Sequence, residues 1–544
     1  GYQSLYGVTG NVSTTTMVGP QAGSNIAGSN LIGIGYSTLQ NSTGSNVIAI
    51  GNQTLMGSSG SNNIYVGMAS GNVMNNLNNV VIGNNAGNNI GASNVILGNT
   101  SSNQVDRENV ILGYNSAIPV TGTFRENVII GTNSAANISC NLMDRAILIG
   151  HTVGSGLNPG LYPIGIGYSA LAGAGGDYNV GIGAYACNEH TGSNNIGIGL
   201  AAGYQGTGSD CIGIGSYTVY QCTGTANIGI GSYAMYQSTG SNNIAIGPNT
   251  LMNARGSNNT CLGEAVLQNC TGSNNVAMGN NAGTSFYGDN SVIIGNSVCT
   301  NTDGHYGTGL VCIGTNSMVT TDLIQAGGIY IGDRVEPDVN ATCYNNVCVG
   351  RIIGGGNHLN PNNNIYIGNT ISYDNEITPS SCIYIGSNID SLNADTDPTG
   401  RIAIGNGINT NVDNSFYVTS GLAGVNSTTL SYDTTTGQIG PTVSSARFKK
   451  DIEPVTVESS KLSELQVMKY KYKEKHISDR VEYGCLAEQV AEVLPELVNF
   501  DKGGEPFSLN YNSFIGLMLK EIQNLRIEVT GLRARVAGIE SKTM

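Results

Sequence analysis

Thr191-Gly-Ser-Asn-Asn-Ile-Gly-Ile-Gly199 decides how this chain folds, because the phrase returns with small changes along most of its length. It recurs as TGSDCIGIG at 207–215, TGTANIGIG at 223–231, TGSNNIAIG at 239–247 and TGSNNVAMG at 271–279. Its closing glycine falls every 16 residues from Gly167 through Gly183, Gly199, Gly215, Gly231, Gly247, Gly263 and Gly279 to Gly295. An earlier block keeps the same step through Gly35, Gly51, Gly67 and Gly83. Elsewhere the spacing loosens, as it does between Gly113, Gly131 and Gly150 and from Gly314 to Gly405, without losing the phrase. A fixed period that survives insertions is the mark of stacked rungs with variable loops.

Within each phrase the pattern is Asn–aliphatic–small–aliphatic–Gly. Period-2 alternation describes a short strand, with Ile196 and Ile198 on one face and Gly197 on the other. The flanking Thr-Gly-Ser-Asn and the closing glycine are turn residues. A 16-residue rung then has room for roughly two five-residue strands and two corners, a flattened two-sheet roll. The middle position is Gly213, Ala245, Cys348 or Tyr366 and never charged. Such a second face is expected to be covered too, most simply by identical chains around a three-fold axis. The fold expected for residues 1–415 is therefore a mainly β, trimeric parallel β-solenoid shaft. The phrase resembles the head repeat of trimeric autotransporter adhesins (the YadA-like head), here as Asn242-Asn-Ile-Ala-Ile-Gly247 at a longer period. Those adhesins carry an outer-membrane barrel anchor, and the expectation here is a fibre of another kind.

The bulk composition agrees with ordered repetition. Of 544 residues 78 are glycine, none is tryptophan and only 11% are charged. The net charge of −14 argues against a nucleic-acid partner held by phosphate neutralisation. No apolar run approaches the roughly 20 residues of a spanning helix, so no membrane insertion is expected. The twelve cysteines show no CxxC spacing and the five histidines are scattered, which leaves neither a metal site nor a cofactor to expect. Cys312 and Cys348 sit where other rungs have Gly or Ala, as small buried hydrophobes would.

No lysine precedes Lys449, whereas the last hundred residues are rich in charge. A connector or neck over 416–443 therefore separates two chemically distinct parts, and 444–544 read as a small α+β domain. Its last helix carries heptads with Ile515, Ile522, Val529 and Val536 at a and Met518, Leu525, Leu532 and Ile539 at d. The g-to-e pairs Glu521–Arg526, Glu528–Arg533 and Arg535–Glu540 are of opposite charge, which predicts a parallel coiled coil over 515–540.

Three features follow in order: Ser444-Ser-Ala-Arg-Phe-Lys449, Tyr483-Gly-Cys-Leu-Ala-Glu-Gln-Val-Ala-Glu-Val-Leu-Pro-Glu-Leu-Val498, and Leu509-Asn-Tyr511 leading into the helix. Together they resemble the peptidase S74 family, the intramolecular chaperones of phage endosialidases, tail spikes and other viral fibres. Ser445 stands where that family has Asp, and Ala-Glu-Gln replaces Ala-Gln-Glu.

The resemblance implies a homotrimeric fibre on a virion surface, assembled in the host cell, with a host-surface receptor or glycan as partner. It also implies that Ser444 is a nucleophile and Lys449 its general base, cutting the Val443–Ser444 bond and releasing the chaperone. Self-cleavage would be the chain's sole catalysis. The alternatives are a chaperone that does not cleave and a glycan-degrading tail spike. The latter would need paired carboxylates, for which Asp106, Glu108, Glu126, Asp144, Asp333 and Glu336 are the candidates.

Overall fold

The computed structural model describes residues 3–8, 12–72, 75–101, 105–117, 123–138, 142–157, 161–300, 307–318, 324–335, 342–354, 362–373, 380–391, 399–410, 413–418, 430–432, 439–441, 446–455, 459–473, 480–501 and 503–543. The chain divides into two compact units, Gly1–Thr419 and Ser420–Met544.

The first unit is a parallel β-solenoid. Each repeat phrase supplies one strand, and successive strands pair in parallel, from Thr15–Val18 to Phe416–Val418, into a single 25-stranded sheet. Equivalent positions stack without slippage: Ile196 on Ile212 on Ile228, and Gly197 on Gly213 on Gly229. At about 4.8 Å per rung the sheet is about 115 Å long.

The expected second strand of each rung is absent from the regular rungs. Opposite strand Ile228–Ile230, the wall is a run of tight turns in which Tyr233, Met235 and Gln237 take φ of 58°, 57° and 54°. Chain length explains the difference. Three extended residues span about 10 Å, whereas the seven residues of the facing wall would span about 23 Å if extended. Alternating right- and left-handed conformations shorten the wall until it fits. Its hydrogen bonds still reach both neighbours, since Tyr233 and Gln237 N–H donate to Ser216 and Tyr220 O while Met235 N–H donates to Thr250 O. Only where rungs are longer do strands form on that side, as Thr123–Arg125 beside Leu142–Asp144 and Gly307–Thr308 beside Ile324–Ala326 and Thr342–Tyr344.

The two faces of the strand are exchanged relative to expectation. Gly197, Ala245, Cys348 and Tyr366 point inward, and the flanking aliphatics point out. Several 15- and 16-residue rungs fill the middle position with Val81, Ile96, Ile111 or Ile293, all buried, whereas the glycine rungs leave no room there. A Cβ on Gly197 would lie 2.6 Å from Cys187 Sγ and 2.7 Å from Ala202 O. The space is filled instead from the turn wall, by Val219, Met235, Leu251 and Leu267. Toward the C-terminal end the strands lengthen to nine residues in Ile365–Tyr373 and Ile383–Ser391. There Tyr366 and Tyr384 enter the core beside a column of Ile353, Ile371 and Ile389.

The asparagine that precedes the aliphatic pair in many phrases forms a buried ladder. Asn227 Oδ1 accepts from Asn243 N–H at 2.9 Å and its Nδ2 donates to Gly240 O at 2.8 Å. Asn243 does the same for Asn259 N–H (2.8 Å) and Gly256 O (3.0 Å). Each amide thus latches onto the rung that follows and satisfies corner groups that water cannot reach. Asn243→Ala removes the partner of both groups, at roughly 1–3 kcal/mol for each orphaned group. We expect a lower denaturation midpoint for this variant; an unchanged midpoint would mean that the ladder does not hold the corner.

Among the described residues nine cysteines are buried and Cys485 is half-buried. Burial pushes Cys187, Cys222 and Cys270 up to about 12, so they remain protonated and behave as small apolar residues. Cys140 lies outside the described residues. Arg401, 1% exposed, closes the last rungs by donating from Nε to Asp413 (2.9 Å) and from Nη1 to Thr410 O (3.0 Å).

The second unit is small. Helix α1 (Ala487–Val493) packs against the antiparallel pair Val498–Phe500 and Pro506–Leu509. A further pair joins Met468–Tyr470 to Glu482–Gly484. The core holds Val490, Leu494, Leu497 and Val498, with Leu462, Leu465, Phe514 and Leu517 partly buried around it. Helix α2 runs from Tyr511 to Thr543 and buries no residue. None of the helices among the described residues is long and apolar enough to cross a membrane.

Candidate functional site

Two surfaces lack a covering in the single chain, and both are built by the repeats that make the fold. On the shaft, the outward aliphatics stack into columns along the whole sheet. Ile214, Ile230, Ile246, Leu262 and Met278 are exposed on five successive rungs, and Ile34, Ile82, Ile130, Ile367 and Ile404 extend the series in both directions. Monomeric soluble proteins rarely expose an apolar patch beyond a few hundred Å², and larger ones mark interaction sites.

On α2 the helix meets its own domain through Phe514 and Leu517. Those residues occupy heptad positions g and c, so the a and d seam is not used. Ile515, Met518, Ile522, Leu525, Val529, Leu532, Val536 and Ile539 are all exposed, Ile522 to 58% and Leu525 to 49%. A helix of 33 residues with an apolar stripe facing water gains little from propensity alone. The domain's four fully buried side chains make a core too small to offset this.

The expected processing segment precedes α1. Val443 and Ser444 lie outside the described residues. A short 3-10 turn, Ala446–Phe448, follows, and Lys449 closes it by donating its backbone N–H to Ala446 O at 3.1 Å. Lys449 and Arg447 are exposed. Residues 444–499 match the peptidase S74 family model, the chaperone of endosialidase.

The match spans the Ser444–Lys449 motif, α1 and the strand after it, and supports a chaperone role in assembling an endosialidase- or tail-fibre-type protein. No curated protein matches the chain. Four of the shaft's six candidate carboxylates are engaged by arginine. Arg125 holds Asp144 at 3.1 Å and reaches Asp106 at 4.0 Å, Arg145 holds Glu126 at 2.7 Å, and Asp333 lies between Arg334 and Arg351. Glu336 lies outside the described residues. No cluster of three or more metal-ligating side chains occurs among the described residues.

His190 is a buried ionisable group of the shaft, 1% exposed. Its Nδ1 accepts from Gly192 N–H at 3.2 Å, which places the proton of the neutral ring on Nε2. Burial lowers its pKa from 6.5 to about 4. The unfolded chain therefore binds the extra proton first. Stability contributed by the neutral ring is complete above pH 6.5 and declines as the pH falls toward 4, by about 3 kcal/mol in total. Melting curves of wild type and His190→Asn between pH 7 and 4 check this, the wild type losing more on acidification.

Proposed function

We propose that this chain is one strand of a homotrimeric viral fibre, assembled by its C-terminal chaperone and released from it by self-cleavage at Val443–Ser444. The observation that carries the reading is the coincidence of two uncovered apolar seams with the family match. One seam runs the length of the solenoid sheet and the other runs the length of α2. Parallel strands stacked in one register present the same columns on every copy, so three chains related by a three-fold axis can bury them against one another. Rungs so alike specify register weakly by themselves. A parallel coiled coil over 515–540, with three sets of g-to-e charge pairs, would align the three ends before the rungs zip up.

Cleavage would follow from the motif chemistry. Lys449 as a free amine takes the Ser444 hydroxyl proton, and Ser444 Oγ attacks the Val443 carbonyl carbon. The peptide nitrogen leaves as the amine of Ser444, and water hydrolyses the resulting ester to the Val443 carboxylate. Losing the chaperone removes the element that aligned the chains, and the shaft persists through a high unfolding barrier. The low-charge shaft would then project from the virion and meet a host-surface receptor. Mature shaft is expected to migrate as a trimer in SDS without heating and as single chains after boiling. Migration as single chains in both lanes would count against the reading.

A further inference from the structure

Rungs between Arg145 and Arg255 contain no lysine or arginine, and they carry a surface unlike the rest of the shaft. Tyr204, Tyr220 and Tyr236 stack face to face on consecutive rungs, with centroids 5.2 and 4.9 Å apart and planes within 10°. Tyr217 and Tyr233 form a second stack at 5.2 Å, which leans on the first at 5.8 and 5.6 Å. Beside the rings runs an amide ladder: Gln237 Nε2 donates to Gln221 Oε1 at 2.8 Å, and Gln221 to Gln205 at 2.9 Å.

The fold does not require these tyrosines. Tyr217 and Tyr233 have φ of 54° and 58°, a left-handed conformation that is unfavourable for a bulky side chain. The same corner position on other rungs is Asn115, Asn133, Asn249 or Asn281, or a small or polar residue such as Ser37, Ala69, Thr152 or Ala201, so the corner closes without an aromatic ring. Aromatic rings that the corner does not need, half-exposed or exposed and aligned on consecutive rungs, point to a function. Contact between copies does not account for them either, because the aliphatic columns run along the whole sheet whereas the tyrosines occupy a few rungs.

We propose that this tyrosine and glutamine face binds a neutral polysaccharide lying along the shaft axis. The stacked rings are half-exposed or exposed, each hydroxyl is able to donate and accept, and each ladder amide keeps one N–H for a further bond. The pattern repeats at about 4.8 Å, so a polyhydroxylated chain finds equivalent partners rung after rung. With no cation nearby, a polyanion gains nothing here. The inference rests on the fibre reading for its setting, as the host-facing contact of the shaft.

The test applies the full-length protein to an array of immobilised neutral and acidic (sialylated, sulfated) oligosaccharides, with light scattering of the same preparation. Wild type is expected to retain neutral glycans over acidic ones. Tyr204→Ser/Tyr220→Ser/Tyr236→Ser and, separately, Tyr217→Asn/Tyr233→Asn are expected to weaken retention at least tenfold with the oligomer intact. The asparagine variant is also expected to melt no lower than wild type. Retention of no neutral glycan, or equal retention by the variants, overturns the inference. Loss of retention only together with loss of the oligomer also overturns it, since the face would then be a contact between copies. A monomeric wild type would count against the fibre reading, whatever the array shows.

Discussion

Ser444→Ala is expected to leave the chain whole, with no fragment beginning at residue 444 in the intact-mass spectrum, while the wild type yields shaft and chaperone as separate masses. Removing the nucleophile of such a pair costs on the order of 10⁴-fold or more in rate, so the contrast is all or none on the time of an expression experiment. Lys449→Ala should have the same effect. Lys449→Arg should not rescue it, because a guanidinium does not give up its proton near neutral pH and cannot act as the base. All of these variants should still assemble, since assembly depends on α2 and the sheet rather than on the bond that is cut. Appearance of the 444 fragment from Ser444→Ala would remove Ser444 from the chemistry.

The second large effect concerns the seam of α2. Ile522→Asp/Val529→Asp places a carboxylate in two successive a layers. In a three-chain coil each layer would hold three buried like charges without partners, several kcal/mol per layer. We expect the yield of SDS-resistant shaft to fall more than tenfold, with the product aggregated through its uncovered aliphatic columns. The own-domain contacts of Phe514 and Leu517 are untouched, so the chaperone module itself should still fold. A gentler companion reverses one charge pair. Glu528→Arg alone should weaken the coil, and Glu528→Arg/Arg533→Glu should restore it. Normal shaft yield from the double aspartate variant would show that α2 does not bring the chains together.

Much of this architecture was legible in the sequence, and the misread parts have physical causes. The strand in each rung and the turn glycine are local, so Ile196-Gly-Ile-Gly199 announces them. Which face is inside is not local. Alternation says that Gly197 and its neighbours point to opposite sides, but the answer depends on the facing wall. That wall carries Ala202, Met235 and Leu251 in a turn conformation that has no period-2 signature. The asparagine ladder was visible as an Asn before the aliphatic pair in more than half of the phrases, yet its meaning needed the stacking distance. In the chaperone module the long helix was readable from its periodicity and the family match from the ordered motifs. The tyrosine stacks were not, since Tyr204, Tyr220 and Tyr236 lie 16 residues apart and meet only when rungs pile up.

The central claim, that three copies bury the two seams together, is tested most directly by multi-angle light scattering of the purified shaft and of the uncleaved Ser444→Ala protein. The account predicts a mass of three chains for both, unchanged on dilution. A mass of one chain for the uncleaved protein would contradict it.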